Sequence, residues 1–406
     1  MVFFSKHRVA FSLTVAVLLL AAALSAMFWA RGFKFNFQER KLERTGLLIA
    51  NSTPTGAEIF LDGRLTSATD TTIAYLEPKT YRIKISKDGF TAWEKDVEIK
   101  ADLSTEIKAL LFPLAPEIKP LTTTGATNPT LSPDGVKIVF AATGDRGGVY
   151  LLTMNDRPLP FRQDTKLLAQ NRGQTDYTKA SFIWSPDSRE IVARFEENGN
   201  VSANLLLDTE KSNQEPRDVT ASLTSTLNAW QDEINSKAQT QSVIAPESVK
   251  TATAEAAPAN SSPTPSPFAQ KASPSPDIQI TRKSNSLLNY YPTGMIFSPD
   301  EEKILYRNKE GNYKVYDLKL KKEYSLPELA DLQNISWYTD SSHIVIAQKD
   351  SISLIDADGN NKVAVFTGKF VNGFVFAHPS GTRLVILTTL TQAEGTLPNL
   401  YAINLR

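Results

Sequence analysis

From Val9 to Trp29 the chain runs 21 residues without a charge, VAFSLTVAVLLLAAALSAMFW. About 20 apolar residues are what a helix needs to cross a hydrocarbon layer of roughly 30 Å. The run therefore predicts a transmembrane signal-anchor over 9–29, between a basic tail at 1–8 and a juxtamembrane linker at 30–45. Val9 and Trp29 mark its ends, with Lys6, His7 and Arg8 before it and Arg31 and Lys34 after it. Leu24 stands where a cleavage site wants a small residue, so the segment is expected to be retained. Basic residues beyond the run (Arg31, Lys34, Arg40, Lys41 and Arg44) outnumber Lys6 and Arg8. Long domains translocate largely regardless of that balance, and the signal-like start places the body outside the cytoplasm, on a single membrane span.

Beyond residue 45 the pattern changes to a period of two. Ala57-Glu58-Ile59-Phe60-Leu61, Tyr81-Arg82-Ile83-Lys84-Ile85 and Trp93-Glu94-Lys95-Asp96-Val97 alternate apolar and polar positions, and Asp62-Gly63 and Lys87-Asp88-Gly89 punctuate them. Strands with one buried and one wet face read this way. The span 46–113 is expected to form a small antiparallel β-sandwich. Pro54-Thr55-Gly56-Ala57 combines a proline that fixes φ with a glycine that frees the backbone, so it predicts a tight turn. With its neighbouring strands this segment resembles the PEGA domain family, although Thr55 departs from the Pro-Glu-Gly-Ala pattern. The resemblance implies a surface or exported module, a spacer or an interaction domain, and its motif residues Pro54, Gly56 and Ala57 are structural. Trp93 is expected in the core or on a sheet face in preference to stacking on a sugar.

A repeated segment follows. Leu131-Ser132-Pro133-Asp134-Gly135, Trp184-Ser185-Pro186-Asp187-Ser188 and Phe297-Ser298-Pro299-Asp300-Glu301 are clear copies. Trp337-Tyr338-Thr339-Asp340-Ser341 and Ala377-His378-Pro379-Ser380-Gly381 are weaker ones. Each opens a turn before an apolar strand, with proline presetting φ and aspartate bonding the local backbone. The anchors at 131, 184, 297, 337 and 377 are spaced by 53, 113, 40 and 40 residues. A period near 40 built of short strands is that of β-propeller blades. The copies resemble the WD-repeat-like segments of TolB-type propellers, which implies a five- or six-bladed ring over 117–406. The long spacing is assigned to an insert at 209–285, made of a short helix at 223–234 and a disordered tract from Thr251 to Pro276 rich in Pro, Ser, Thr and Ala. Residues 117–122 are expected to supply the outermost strand of the last blade and so close the ring.

The whole is thus read as all-β behind one membrane helix. The 406 residues carry 44 Lys and Arg against 44 Asp and Glu, no cysteine and three histidines. Zero cysteine excludes disulfides, thiolate zinc sites and Cys nucleophiles. Neutral charge without a basic patch argues against nucleic acid as a partner. Hydrolase, phosphate-loop, zinc-protease and dinucleotide motifs are missing, so neither a cofactor, a metal nor a catalytic residue is assigned. His343 is expected at an exposed turn-to-strand position and His378 in a local turn role. Asp356-Ala357-Asp358-Gly359-Asn360 departs from calcium-loop spacing and reads as a hairpin turn. A binding or scaffolding role toward a protein or cell-envelope glycan follows, with a propeller enzyme acting on glycan or peptide and an inert surface spacer as alternatives.

Overall fold

A computed structural model describes residues 3–30, 33–36, 41–154, 165–197, 200–256, 290, 293–371, 373–390 and 397–406. Contacts divide the chain into two units, Met1–Leu114 and Ala115–Arg406.

The first unit opens with a helix, α1 (Phe3–Ala30). Among the described residues no helix is long and apolar enough to cross a membrane, which corrects the spanning segment expected over 9–29. Side chains of α1 are described over 11–27. Its apolar side chains there, Phe11, Leu18 and Leu24 among them, are exposed. The side chains of Val9 and Trp29 lie outside the described residues.

A short hairpin follows, β1 (Phe33–Asn36) with β2 (Lys41–Arg44). Seven further strands then form two sheets. β3 (Gly46–Thr53), β6 (Thr71–Leu76) and β9 (Ser104–Leu110) make one, and β4 (Glu58–Leu61), β5 (Arg64–Ala68), β7 (Thr80–Ser86) and β8 (Trp93–Glu98) make the other. Alternate residues point inward: Leu48 and Ala50, Ile59 and Leu61, Ile83 and Ile85, Trp93 and Val97 form one core. The period of two is thereby accounted for, and Trp93 is buried in that core. The sandwich is not wholly antiparallel as expected. β3 and β9 pair in parallel, Leu47 opposite Ser104 through Thr53 opposite Leu110, because the chain visits the second sheet between them and returns in the same direction. Asp62 and Gly63 both have positive φ, 49° and 80°, the two-residue hairpin that such a pair favours.

Among the described residues the second unit contains five four-stranded antiparallel sheets, here called blades 1 to 5. A three-residue strand, β10 (Ile118–Pro120), comes first. Blade 1 is β11 (Thr127–Leu131), β12 (Lys137–Ala142), β13 (Gly148–Thr153) and β14 (Thr165–Gln170). Blade 2 is β15 (Ala180–Trp184), β16 (Glu190–Glu197), β17 (Asn200–Asp208) and β18 (Arg217–Asp218). Blade 3 is β19 (Ile296–Phe297), β20 (Lys303–Arg307), β21 (Tyr313–Asp317) and β22 (Lys322–Ser325). Blade 4 is β23 (Leu332–Trp337), β24 (His343–Gln348), β25 (Ser351–Asp356) and β26 (Val363–Thr367). Blade 5 is β27 (Val375–Ala377), β28 (Arg383–Thr388) and β29 (Asn399–Asn404), and its fourth strand is β10, which pairs Ile118 with Ile403 and Pro120 with Tyr401. The first segment of the unit thus completes its last sheet.

Adjacent residues of a strand face opposite neighbours, and the blades pack through both faces. Val139 and Ala141 meet Trp184 and Ile191 of blade 2, while Ile138 and Phe140 meet Phe376 and Val385 of blade 5. Leu305 and Val315 of blade 3 meet Trp337 and Ile344 of blade 4. Between blades 2 and 3 the arrangement differs. Two helices, α2 (Leu223–Ile244) and α3 (Glu247–Ala256), fill the seam. Trp230 of α2 covers Val192 and Leu206 of blade 2; Val249 of α3, with Ala245, covers Phe297, Ile304 and Tyr306 of blade 3.

The expected insert is corrected accordingly. β18 lies within 209–285 yet pairs in blade 2. The helix expected at 223–234 continues to Ile244, because Ala238 extends the buried stripe of Trp230 and Ile234. The tract expected to be disordered from Thr251 begins as α3, since Val249 and Ala252 pack on blade 3. Its remainder, 257–276, lies outside the described residues.

Candidate functional site

The repeated turns connect the first two strands of every blade, and they share one backbone. The residue after the aspartate slot is left-handed in all five: Gly135, Ser188, Glu301, Ser341 and Gly381 have φ of 74°, 61°, 59°, 58° and 63°. A side-chain bond two residues long closes each clear copy. Ser132 donates to Asp134, Ser185 to Asp187 at 2.6 Å and Ser298 to Asp300. The same serine oxygens accept the amide that opens the next strand, from Lys137, Glu190 and Lys303, each at 2.9 Å. The prolines Pro133, Pro186, Pro299 and Pro379 stand where their fixed φ starts the turn. Burial raises the Asp187 and Asp300 pKa values, but hydroxyl and amide donors outweigh it and hold both below the ordinary carboxylate range.

Several of these turns also reach across a seam. The Asp134 amide donates to Ser188 of blade 2 at 3.1 Å, and the Asp300 amide to Ser341 of blade 4 at 3.0 Å. One strand back, the Trp184 indole donates to the Thr130 carbonyl at 3.2 Å and the Trp337 indole to Ile296 at 2.9 Å. What varies is the position after the left-handed residue: Val136, Arg189, Glu302, Ser342 and Thr382, each exposed or half-buried. One rigid backbone is therefore repeated with an apolar, a cationic, an anionic and two hydroxyl side chains on it.

Blade 4 departs from the pattern. Tyr338 replaces the serine, and its hydroxyl donates to the Gly381 carbonyl of blade 5. Burial pushes the Tyr338 pKa up, so the hydroxyl keeps its proton. His343, expected at the surface, is 4% exposed. The cause is tertiary: its ring meets Tyr338 edge to face, with centroids 6.3 Å apart, and lies between two carboxylates. Nδ1 is 2.6 Å from Asp340 Oδ2 and Nε2 is 3.1 Å from Asp356 Oδ1. Burial alone would lower the His343 pKa, but the two carboxylates outweigh it and push it up to about 9. Burial likewise opposes ionisation of Asp340, and His343 overcomes it, holding that pKa below the ordinary range. The site at neutral pH is an imidazolium between two acids, a group that cannot take a proton from a substrate. Asp356 closes the hairpin expected at 356–360, its second oxygen accepting from Asn361 at 3.0 Å. Tyr338 and Asp356 were not legible as partners of His343, although the loss of both serine and proline from this copy was a signal that its turn is built differently.

His378 takes the turn role expected of it. It sits in the serine slot, with Nδ1 2.8 Å from Ser380 Oγ, and it accepts the Ser380 amide at 3.2 Å. The Arg383 guanidinium stands 3.3 Å from its other nitrogen. Among the described residues no cluster of three or more His, Asp or Glu side chains could hold a metal ion.

In the first unit Ala57 is buried and its amide donates to Thr69 at 2.8 Å, Gly56 has φ 69°, and a cis peptide joins Thr53 to Pro54. Ser52 donates to the Pro54 carbonyl at 2.6 Å. The motif residues are brought together as a turn, at a distance in sequence from every repeated turn of the ring.

Residues 45–113 match the PEGA domain family. No curated protein matches the chain. Solved structures similar to it include TolB from Agrobacterium tumefaciens, 14% identical with a TM-score of 0.23, covering 68% of this chain and 78% of that one. TolB from Acinetobacter baumannii is 12% identical with a TM-score of 0.23, covering 80% of this chain and 60% of that one. An oligogalacturonate lyase in complex with manganese is 9% identical with a TM-score of 0.28, covering 81% and 86%.

Proposed function

We propose that the chain is a non-catalytic surface protein that binds or scaffolds a protein or a cell-envelope glycan, and that the repeated-turn face of its second unit is the contact surface. The observation that carries this reading is the constancy of the turn backbone beside the variety of Val136, Arg189, Glu302, Ser342 and Thr382 upon it. A scaffold that fixes its loops while changing their side chains presents a chemically mixed surface with little ordering cost on binding. Buried His343 supports the non-catalytic part, since it is held charged by acids.

Affinity capture from detergent-solubilised envelopes tests the proposal, with the whole chain as bait and a variant carrying Arg189→Ala, Glu302→Ala and Thr382→Ala as control. A specific partner retained by the first and lost by the second, at equal melting temperature, is the expected result. Equal retention by both would place the contact elsewhere. Turnover of a glycan or peptide substrate by the purified chain would overturn the non-catalytic reading.

A further inference from the structure

We infer that the turn from Tyr338 to Ser342 is a clasp joining blades 3, 4 and 5, and that it is held shut by the charge on His343. Three contacts build it. Ser341 accepts the Asp300 amide of blade 3 at 3.0 Å. Tyr338 donates to the Gly381 carbonyl of blade 5. Within blade 4 the Ala357 amide donates to the Ser342 carbonyl at 2.8 Å, tying the turn to the residue after Asp356. His343 underlies all three, packed on Tyr338 and linked to Asp340 of the turn and Asp356 of β25. Charged groups nearby include Asp300 from blade 3 and Arg406, which acts on Tyr338 through its charge.

In the other four blades the slot of His343 holds no histidine, and in blade 1 Lys137 donates from it to the Ser188 carbonyl of blade 2 at 2.9 Å. The first residue of the second strand and its cross-strand partner are Lys137 with Thr153, Glu190 with Asp208, Lys303 with Asp317 and Arg383 with Asn404, against His343 with Asp356 in blade 4. Lys, Arg and Glu ordinarily keep their charge from about pH 6 to about pH 10. Histidine in this slot can lose it. A neutral imidazole donates from one nitrogen alone, so either the buried Asp356 or the solvent-exposed Asp340 would face a bare lone pair, and the turn would lose one of the two charge-assisted bonds that tie it to β25. Because the turn's bonds to blades 3 and 5 start one and two residues from Asp340, loosening that acid loosens both seams.

The sign follows from the shift. A folded-state pKa raised from 6.5 to about 9 gives stability that is complete below the unfolded value and is lost as pH rises through the folded one. The experiment is thermal melting of the whole chain between about pH 6.5 and about pH 10. Wild type is expected to lose melting temperature progressively from about pH 6.5 to about pH 9 and to level off above it, His343→Gln to melt lower and stay flat across the range, and His343→Lys to hold its value until about pH 10. Parallel slopes for wild type and His343→Gln would overturn the inference. Should His343→Gln fail to fold, hydrogen exchange on wild type decides, corrected for intrinsic rates. Faster exchange above pH 9 at Ala357 and Asp300, with the Asp134 amide of the blade 1 turn unchanged, agrees with a clasp; uniform acceleration contradicts it.

Discussion

At the scale of single residues the molecule is governed by aspartates that organise turns. Asp187 and Asp300 each accept a hydroxyl and a backbone amide, Arg189 at 3.1 Å and Glu302 at 3.0 Å. Their folded pKa values lie below the ordinary one, so the stability they give is present above about pH 4 and is lost as pH falls through the folded values. Asp187→Asn and Asp300→Asn are each expected to cost about 1 kcal/mol at neutral pH in chemical denaturation, and the double variant to lose part of the wild type's acid sensitivity. Gly381 gives a second residue-level expectation. A Cβ there would stand 2.6 Å from Thr339 Oγ1 at a φ of 63°, so Gly381→Ala should cost about 2 kcal/mol through clash and backbone strain. The turns were readable beforehand because Ser-Pro-Asp chemistry is local. The burial of His343 was not, because its ring is covered by Tyr338 and an acid thirteen positions downstream, contacts that no local pattern encodes.

At the scale of elements, the strands were legible wherever apolar and polar residues alternate, as in Tyr81–Ile85, or wherever an apolar run follows a turn, as in Ile138–Phe140. The helical pair between blades 2 and 3 was half legible. Leu227, Trp230 and Ile234 announce the start of α2, but its continuation rests on Ala238, and α3 rests on Val249 and Ala252 in a segment otherwise rich in Ser, Thr and Ala. Such sparse apolar content forms helix only because two blade faces await it, which is tertiary context overriding composition. Trp230→Ala therefore tests the seam. A large-to-small change at a buried aromatic costs about 3 kcal/mol, and hydrogen exchange should quicken in β16 and β17, whose Val192 and Leu206 it uncovers. A loss under about 1 kcal/mol would mean that the blades hold one another there without the helices.

At the scale of the whole molecule the second unit depends on joining its first segment to its last sheet. β10 pairs with β29, the Asn404 amide donates to the Glu117 carbonyl at 2.8 Å, and Thr122 both donates to Asn399 at 3.0 Å and accepts the Leu400 amide at 2.9 Å. Deleting 117–124 should lower the melting temperature by about 10 °C, the effect of a few kcal/mol in a domain of this size, while shortening 257–276 should leave it nearly unchanged. The missing fourth strand of the last blade is the sign of this closure in the sequence. The fate of the N-terminal apolar run was not legible from its length and hydropathy. The central functional claim is that the repeated-turn face makes the contact. A photo-crosslinking residue placed in turn at Arg189, Glu302 and Thr382, and at Glu310 and Asp350 on the hairpins at the other ends of the strands, tests it in intact envelopes. The first three positions should trap one common partner and the last two should trap none of it; equal yields from both sets, or trapping from the second set alone, would contradict the account.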